Sequence, residues 1–515
     1  MRILRRLSGN AIFIFSVALA WFAAFIPWNG FRDPDAFYHA KISSLMLQQG
    51  PLHRFPWLDL TFFDQSFTDL HFFFHVLLMP FERIFGMYLG SQIAAVVFAA
   101  LFVTVFFLVL RRARVPLPWF FTLLLSLVPL VIVRLTLAKA TPIALIWFVL
   151  GMAAVSLSGM RLRQRIALSG IAGMGFALSH GGWSLLILCQ FLYVVGEELF
   201  ERVGVGRPWK QCLTRPSLLV ILSAFVGAIG GTVVHPNFPT NIYFLWVQIW
   251  KIAVVTPFHR VRLGNEWLPI TVEDLVANAS MSVIVGLIIL YGFLVARRGL
   301  ADVDRWKPAI AWGFPVAFLV ALTLKSIRFA EYFFPAMVWW FALLSTNVDT
   351  SAYWQWARVR WNWRTKLLLT MVVGSMMIQG AKTWSGMHKN PYLFDSYQDV
   401  FRVLAQQAKP GERIFHTSWD QFPQLFAEDD RYRYVVGLDP TFLLESNPAL
   451  SDRYHEIMSN RVTTGTYEMI KYDFGSRWII LDPLRQQGLD RVIEKDARFL
   501  LQTSSTQAKL YRLNE

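Results

Sequence analysis

The apolar residues of this chain come in long blocks, each of about 17–23 residues with few charges inside it. A helix of about 20 apolar residues is long enough to cross the roughly 30 Å of hydrocarbon in a bilayer. Charged residues make up only 16% of the 515 positions, whereas a soluble globular chain carries about 25%. This pattern predicts a polytopic α-helical membrane protein.

The basic residues predict how the blocks cross the membrane. Arg2, Arg5 and Arg6 precede the first block, so the positive-inside rule places the N-terminus in the cytoplasm. The apolar segment 70–87 also carries histidines and the charged residue Glu82, and is either a span or a helix in the membrane interface. We choose the interfacial helix, because every second later loop is then basic. We therefore expect about eleven spans, near residues 10–28, 89–110, 117–135, 141–159, 166–180, 183–199, 216–234, 279–296, 308–325, 331–346 and 367–382.

The composition changes near the C-terminal end. From Thr383 onward, short apolar strands such as Trp478–Leu481 alternate with turn residues and helical stretches. A tail of about 130 residues suffices for one small domain, and the last span exits outward. The sequence predicts a transmembrane domain over 1–382 and a soluble extracytoplasmic α/β domain over 383–515.

The formal net charge of +15 raises the question of whether the chain binds nucleic acid. Lys and Arg cluster between the apolar blocks, as they do in cytoplasmic loops of membrane proteins. No basic segment has the interleaved pattern of a nucleic-acid-binding module. We therefore expect membrane lipid, and no nucleic acid, among the partners.

With this topology the unusual polar residues fall on one side of the membrane. Ionisable groups at membrane depth are costly, so their clustering at one face predicts a shared site more readily than ordinary loop solvation. The outer loops hold Asp33, Asp35, His39, Asp64, Asp69, His71, Arg134, Lys139, His180, His235, Glu266, Arg328 and Glu331.

The loop after the first span contains the acidic pair Asp33 and Asp35, which Pro34 separates and stiffens. Carboxylates there can bind a divalent cation or accept a proton from an attacking group. Because two close carboxylates repel, either a cation lies between them or one of them has a raised pKa. The alternative is a helix cap just outside the membrane.

Several short motifs follow one another along the chain: Asp35-Ala36-Phe37-Tyr38-His39, Glu266-Trp267-Leu268-Pro269, Arg328-Phe329-Ala330-Glu331-Tyr332, His416-Thr417-Ser418-Trp419-Asp420 and the closing stretch Ala508–Leu513. Taken in this order, they resemble the motifs of the GT-C superfamily of polyprenyl-phosphate-sugar glycosyltransferases, and within it the catalytic subunit of oligosaccharyltransferases. The resemblance implies that Asp35 contacts a metal and the acceptor and that Arg328 faces the lipid-linked phosphate. It also implies that Trp419 and Asp420 belong to the acceptor-binding motif that opens the soluble domain.

The chain departs from the family where a second acidic metal ligand is usual. The outer loop 134–141 contains Arg134 and Lys139 but no acid. Either Mn²⁺ or Mg²⁺ binds through Asp35 and Asp33, or a metal-free mechanism applies, as in the mannosyl- and aminoarabinose-transferring relatives. The reduced motif Ser418-Trp419-Asp420 also weakens the case for a peptide sequon as the acceptor.

The sequence thus predicts a membrane glycosyltransferase of the hexosyl- or oligosaccharyl-transferase type. It would move a sugar or oligosaccharide from a polyprenyl-phosphate-type donor to a protein or glycan acceptor on the outer face of the cell (inner) membrane. The expected roles are catalysis by Asp35 and Glu266, donor phosphate binding by Arg328, Lys139 and Arg134, and acceptor binding by Trp419 and Asp420. The alternatives are a lipid- or polysaccharide-modifying transferase of the same fold, a transporter of lipid-linked sugars, and an inactive scaffold.

Overall fold

The computed structural model describes residues 2–157, 159–205, 215–255, 260–261, 264–278, 303–347, 363–459 and 464–514. Its N-terminal and middle parts are helical. The helices are α1 (Arg2–Ala23), α2 (Asp35–Gln49), α3 (Phe63–Ser66), α4 (Phe72–Phe85), α5 (Met87–Arg112), α6 (Pro118–Ser126), α7 (Pro129–Thr136), α8 (Thr141–Ser156), α9 (Leu162–Ser179), α10 (Trp183–Val205), α11 (Arg215–Val234), α12 (Thr240–Trp246, followed by a π-helical run Val247–Val255), α13 (Val303–Lys325), α14 (Ala330–Ser345) and α15 (Trp363–His388).

Five of the described helices are long and apolar enough to cross a membrane, or six if the bent pair α6 and α7 forms one broken span. They are Met87–Arg112, Trp183–Val203, Pro216–Val234, Trp306–Lys325 and Ile327–Ser345. The helix α4, with 14 residues, is not one of them, and its interfacial position stays a prediction. The chain is a multi-pass membrane protein; the count of about eleven spans stays a prediction, and the predicted span 279–296 lies outside the described residues.

The helices end where backbone chemistry requires it. Pro129 opens α7 and cannot donate the backbone hydrogen bond that would continue α6, so the two helices meet at 75°. Gly86 adopts a φ of 83°, in the left-handed region that glycine tolerates best, and so lets the chain turn between α4 and α5.

Two compact units divide the chain. The first, here called the helical unit, comprises Met1–Ile26, Ile93–Val233 and Glu266–Lys389. Within it α9 and α11 approach closely: a methyl group added at Gly173 would collide with the carbonyl oxygen of Ala224. Small residues at such contacts let helix backbones approach one another in membranes.

The second, here called the mixed unit, comprises Pro27–Gln92, Val234–Asn265 and Asn390–Glu515. Its C-terminal segment contains the helices α16 (Gln398–Gln407), α17 (Phe422–Glu428), α18 (Thr441–Ser446), α19 (Pro448–Met458), α20 (Thr466–Glu468) and α21 (Gln487–Glu494). Its strands are β1 (Gly30–Phe31), β2 (Tyr392–Leu393), β3 (Arg413–His416), β4 (Arg433–Tyr434), β5 (Trp478–Leu481), β6 (Phe499–Ser504) and β7 (Lys509–Leu513).

Five of these strands form one sheet in the order β4-β3-β5-β7-β6. The strands β3, β4 and β5 pair in parallel, whereas β7 runs antiparallel to both β5 and β6. Phe415, Ile479 and Tyr511 lie in the core that covers this sheet. The described tail thus has mixed helices and strands; the division at residues 382 and 383 into two domains stays a prediction.

The segment that follows α1 packs onto this C-terminal segment inside the mixed unit. The short strand β1 pairs antiparallel with β2. Only glycine fits at position 30, because a Cβ there would collide with the carbonyl oxygen of Tyr392. Asp59 accepts hydrogen bonds at 3.1 and 2.7 Å from Arg413 at the start of β3. These contacts fix the acidic loop against residues that follow it by more than 350 positions.

Candidate active-site residues

The two acids of the first loop have different surroundings. Asp35 is the first residue of α2, and its backbone N–H donates to Oδ1 of Asp33 at 2.9 Å. Asp33 therefore closes the turn before α2, whose N-cap residue, Pro34, has no side-chain cap hydrogen bond. The carboxylate of Asp35 lies in the first turn of α2, where the helix dipole stabilises negative charge.

A buried chain of polar side chains lies beside this helix. Oδ2 of Asp69 is 2.7 Å from Nδ1 of His75, and Nε2 of His75 is 2.8 Å from Nδ1 of His39. The sequence placed Asp69 and His39 among the outer-loop residues but assigned them no role. The six-residue spacing of Asp69 and His75 spans a turn and the start of α4, so no single periodicity marks the pair.

Electrostatic effects connect Asp35 with this buried chain. Burial raises the pKa of Tyr38 well above its usual value, and the charges of Asp69 and then Asp35 raise it further. Burial also acts to raise the pKa of Asp69, but His75 outweighs it through its charge and its hydrogen bond, so the net shift is downward. Asp69 is therefore an ionised carboxylate in a buried position.

A second contact joins the acidic loop to the predicted acceptor motif. Arg485 donates to Oδ2 of Asp420 at 2.7 Å and to the hydroxyl of Tyr392 at 3.2 Å. The charge of Asp33 also acts on that hydroxyl and contributes to its raised pKa, of which burial is the largest cause. Trp419 packs against the core of the sheet segment. Asp420 and Asp33 thus lie around one tyrosine, while Trp419 points into apolar surroundings.

The helical unit contains a cluster of opposite charges. Arg134, near the end of α7, donates from Nε at 2.8 Å and from Nη2 at 2.7 Å to Oε2 of Glu331, whose side chain is 1% exposed. Its Nη1 reaches Oε2 of Glu266 at 3.1 Å. The other oxygen of Glu266 accepts from Nη1 of Arg328 at 3.0 Å. Glu266 therefore bridges the two arginines.

Backbone and ring contacts hold this bridge in place. The hydroxyl of Ser326 donates to the carbonyl oxygen of Glu266 at 2.8 Å, and the N–H of Ile327 donates to the carbonyl oxygen of Leu268 at 2.9 Å. The guanidinium of Arg328 lies 4.9 Å from the ring centroid of Trp267, a cation–π contact. The segment around Glu266 is thus attached to the start of the Arg328 motif.

The cluster carries an excess of positive charge. Burial acts to raise the pKa of Glu266, but Arg328, Lys139 and Arg134 outweigh it and hold that pKa well below the usual range. Burial, with Arg328 and Arg134, lowers the pKa of His180 to about 3, so this ring is neutral at physiological pH. Three cationic side chains therefore face the two carboxylates of Glu266 and Glu331.

The donor set for a divalent cation is incomplete. Among the described residues no group of three or more His, Cys, Asp or Glu side chains is placed to hold a metal ion. One carboxylate oxygen of Asp33 already accepts the N–H of Asp35, and the loop that would supply a second acid supplies Arg134 and Lys139. The assignment of Mn²⁺ or Mg²⁺ to Asp35 and Asp33 stays a prediction, and no step below is routed through a metal.

The predicted site residues therefore lie in two clusters. Asp33, Asp35 and Asp420 belong to the mixed unit, and Arg134, Lys139, Glu266 and Arg328 belong to the helical unit. Glu331, which the sequence placed only in an outer loop, is the buried partner of Arg134. The assigned catalytic and binding roles stay predictions.

Comparison by sequence finds no relative: no protein-family model matches the chain, and neither does any curated protein. Solved structures do match. The archaeal oligosaccharyltransferase AglB from Archaeoglobus fulgidus, in complex with an inhibitory peptide and a dolichol-phosphate, aligns over 98% of this chain and 74% of its own, with a TM-score of 0.61 and 12% identity.

Two further structures match over almost the whole chain. ArnT from Cupriavidus metallidurans, bound to undecaprenyl phosphate, aligns over 98% of each chain with a TM-score of 0.58 and 14% identity. The arabinofuranosyltransferase AftD from mycobacteria aligns over 98% of this chain and 40% of its own, with a TM-score of 0.59 and 12% identity. The prediction from the motifs is confirmed: the chain has the GT-C fold of membrane glycosyltransferases and resembles the oligosaccharyltransferases.

Proposed function

We propose that this chain is a membrane glycosyltransferase that moves a sugar or oligosaccharide from a polyprenyl-phosphate-type lipid to a protein or glycan acceptor at the outer face of the cell (inner) membrane. The observation that carries the proposal is the excess positive charge around Glu266, in a fold shared with glycosyltransferases. Two of the structural neighbours were solved with polyprenyl-type phosphates, a dolichol-phosphate and undecaprenyl phosphate, which supports the same donor class here.

The cation cluster suits the leaving group of such a reaction. A lipid phosphate leaves readily once its developing charge is balanced, and preformed donors in a water-poor site do this most effectively. Arg328 is the best candidate, because its guanidinium can contact phosphate through two nitrogens and its side chain is 28% exposed. Lys139 adds a further positive charge, while Arg134 is mainly engaged by Glu331.

The carboxylate of Asp35 suits the acceptor side. A carboxylate at the start of a helix can orient an attacking hydroxyl or amide and take its proton. Direct attack on the anomeric carbon with departure of the phosphate would invert the configuration at that carbon. Asp420, with Arg485 and Tyr392, is proposed to bind the acceptor.

The structure gives Glu266 a different environment from that of a base. A carboxylate held between two arginines, with a pKa well below the usual range, takes up a proton poorly. We propose that Glu266 acts as the counter-ion of the donor site rather than as a second base.

A second candidate is a lipid- or polysaccharide-modifying transferase of the same fold. The absence of an acid from loop 134–141 and the match to ArnT over 98% of both chains favour it over a peptide glycosylase. The two candidates share donor and mechanism, and differ in the acceptor.

The test is sugar transfer from a polyprenyl-phosphate donor by the purified full chain in lipid nanodiscs. Peptides, glycans and lipids are supplied as acceptors in parallel, and Asp35→Ala and Arg328→Ala are compared with the wild type. Transfer that is lost in both variants supports the assignment, and full activity in both would remove it. Donor movement across vesicles without transfer would instead identify a transporter, and neither activity would identify an inactive scaffold.

A further inference from the structure

The mixed unit buries three ionisable side chains in a single row. Asp69, His75 and His39 are 3%, 0% and 4% exposed, and hydrogen bonds of 2.7 and 2.8 Å connect them in that order. Burying an ionised carboxylate is costly unless its hydrogen bonds are made. Asp69 also accepts the backbone N–H of His71 at 3.1 Å, so this carboxylate has a defined set of donors.

The order of the bonds fixes the tautomers. The carboxylate of Asp69 has no hydrogen to donate, so His75 donates from Nδ1, and in the neutral ring Nε2 of His75 is then an acceptor. His39 must therefore donate from Nδ1. In its neutral form the proton-accepting atom of His39 is Nε2. Asp69, acting through His75, thus determines which ring nitrogen of His39 can accept a proton.

The row includes His39, which lies one helical turn after the proposed base. Asp35 and His39 are four residues apart on α2, a spacing that places two side chains on one helix face. Tyr38 lies within electrostatic range of both Asp35 and Asp69 and has ring contacts with His39 and His75. The other groups that face the row are titratable rings: His71 lies 5.0 Å from His39 between ring centroids, and His235 acts on the charge of Asp69.

We propose that Asp69, His75 and His39 form a proton relay that takes up the proton which Asp35 removes from the acceptor. The inference rests on the proposed glycosyl transfer and deepens it. His39, His75 and Asp69 act through Asp35 and are positioning residues in this scheme. The apolar surroundings of the row keep the transferred proton from exchanging with water during the step.

The step balances as follows. The bond between the acceptor atom and its hydrogen breaks, the proton passes to Asp35, and the electron pair forms the new bond to the anomeric carbon. The bond from that carbon to the phosphate oxygen breaks, and its electron pair leaves with the lipid phosphate. Asp35 passes the proton to Nε2 of His39, whose Nδ1 proton passes to Nε2 of His75. His75 becomes an imidazolium beside the Asp69 carboxylate, and the relay resets when one proton is lost to water.

Two variants of the full chain in nanodiscs break the relay while keeping hydrogen bonds. In Asp69→Asn the amide donates to Nδ1 of His75, which reverses both tautomers and puts the hydrogen of His39 on Nε2. We expect kcat to fall by about 10² to 10⁴-fold, with the donor KM changed by less than about threefold. The amide oxygen of His75→Gln can still accept the N–H of His39, but the amide cannot take up a proton. We expect kcat to fall by about 10²-fold and the acid limb of the pH–kcat profile to move.

Glu82→Gln is the matched control. Glu82 lies on the same helix α4, is 5% exposed, accepts a hydrogen bond from Ser91 at 2.7 Å, and has its pKa raised by burial to about 8. We expect this variant to keep the wild-type kcat and pH profile. If Glu82→Gln moves the acid limb instead, the titration belongs to Glu82 and the relay is overturned.

The remaining outcomes separate the relay from the proposed function. Wild-type kcat and pH profile in Asp69→Asn or His75→Gln would overturn the relay alone, provided that the wild type transfers sugar. No transfer by the wild type would overturn the proposed function and the relay with it. If Asp69→Asn lowers the yield of folded protein, the test of the relay rests on His75→Gln. In that variant a side-chain amide replaces a ring of similar length.

Discussion

The two clusters of ionisable side chains are built differently. In the helical unit, cations outnumber carboxylates around Glu266, and the side chains of Arg328 and Glu266 are 28% and 30% exposed. In the mixed unit, Asp69, His75 and His39 are almost completely buried, and an acid with histidine rings replaces the arginines. The first arrangement suits the binding of an anion, and the second suits the movement of a proton.

The difference also separates roles inside the helical cluster. Arg134 holds the buried Glu331, whereas Arg328 shares only the partly exposed Glu266. A buried charge that loses its partner is strongly destabilising, while a partly exposed pair contributes little to stability. We therefore expect Arg134 to stabilise the fold and Arg328 to bind the donor. The following variants test this division.

The largest effect is expected for the base. Asp35→Asn keeps the size of the side chain and removes its ability to accept a proton, so we expect kcat for sugar transfer to fall by about 10² to 10⁴-fold. The control is Asp64→Asn, which removes an acid from α3 in the same outer loop and should retain wild-type transfer. Equal losses in the two variants would point to a general charge effect of the loop and would remove Asp35 from the mechanism.

The second prediction sets Arg134 against Arg328. Arg134→Gln leaves Glu331 without its main partner, so we expect a loss of about 3–5 kcal/mol in the free energy of unfolding. Arg328→Gln should change that free energy by less than about 1 kcal/mol but raise the donor KM about tenfold or more. Thermal unfolding in nanodiscs and donor titrations measure the two quantities.

The double variant Arg134→Gln/Glu331→Gln is the control for stability. It removes the buried charge together with its partner, and should recover much of the lost free energy. A larger loss of stability in Arg328→Gln than in Arg134→Gln would reverse the division of roles.

Local patterns in the sequence located the helices well. The predicted spans 216–234 and 331–346 correspond to Arg215–Val234 and Ala330–Ser345, since apolar length and flanking charge are local properties. The predicted span 117–135 is a bent pair of helices, because Pro129 interrupts the hydrogen bonding. The π-helical run after α12 was not predicted.

The pairing of charges was much harder to predict than their position. The motifs marked Glu266, Arg328 and Glu331, and the loop 134–141 marked Arg134, but the ion pair of Arg134 with Glu331 joins residues 197 positions apart. No periodicity connects such residues, so only the packing of α7 against α14 brings them together. The same holds for Asp420, whose partner Arg485 follows it by 65 residues. The charged residues could be identified from the local sequence, whereas their partners and their burial could not.

The third prediction concerns Glu266, which the sequence assigned to catalysis. Glu266→Gln removes a negative charge and keeps one of the two oxygens that accept hydrogen bonds from Arg134 and Arg328. If Glu266 is a counter-ion, the donor KM should fall by about fivefold, equivalent to about 1 kcal/mol for a partly exposed pair, while kcat changes by less than about threefold. A fall in kcat of about 10²-fold with unchanged donor KM would restore Glu266 to the role of a catalytic carboxylate.

The smallest effect is expected for metal removal. Asp33 and Asp35 supply two carboxylates, and the loop that would complete an oxygen-ligand set supplies cations. We expect transfer by the wild type to change by less than about twofold after dialysis against a chelator, and added Mn²⁺ or Mg²⁺ to restore nothing further. Arg328 and Lys139 would then perform the neutralisation that a divalent cation performs elsewhere. A chelator-sensitive activity that Mn²⁺ restores, and that Asp33→Asn abolishes, would instead make the acidic pair a metal site and reduce the arginine cluster to a secondary role in charge balance.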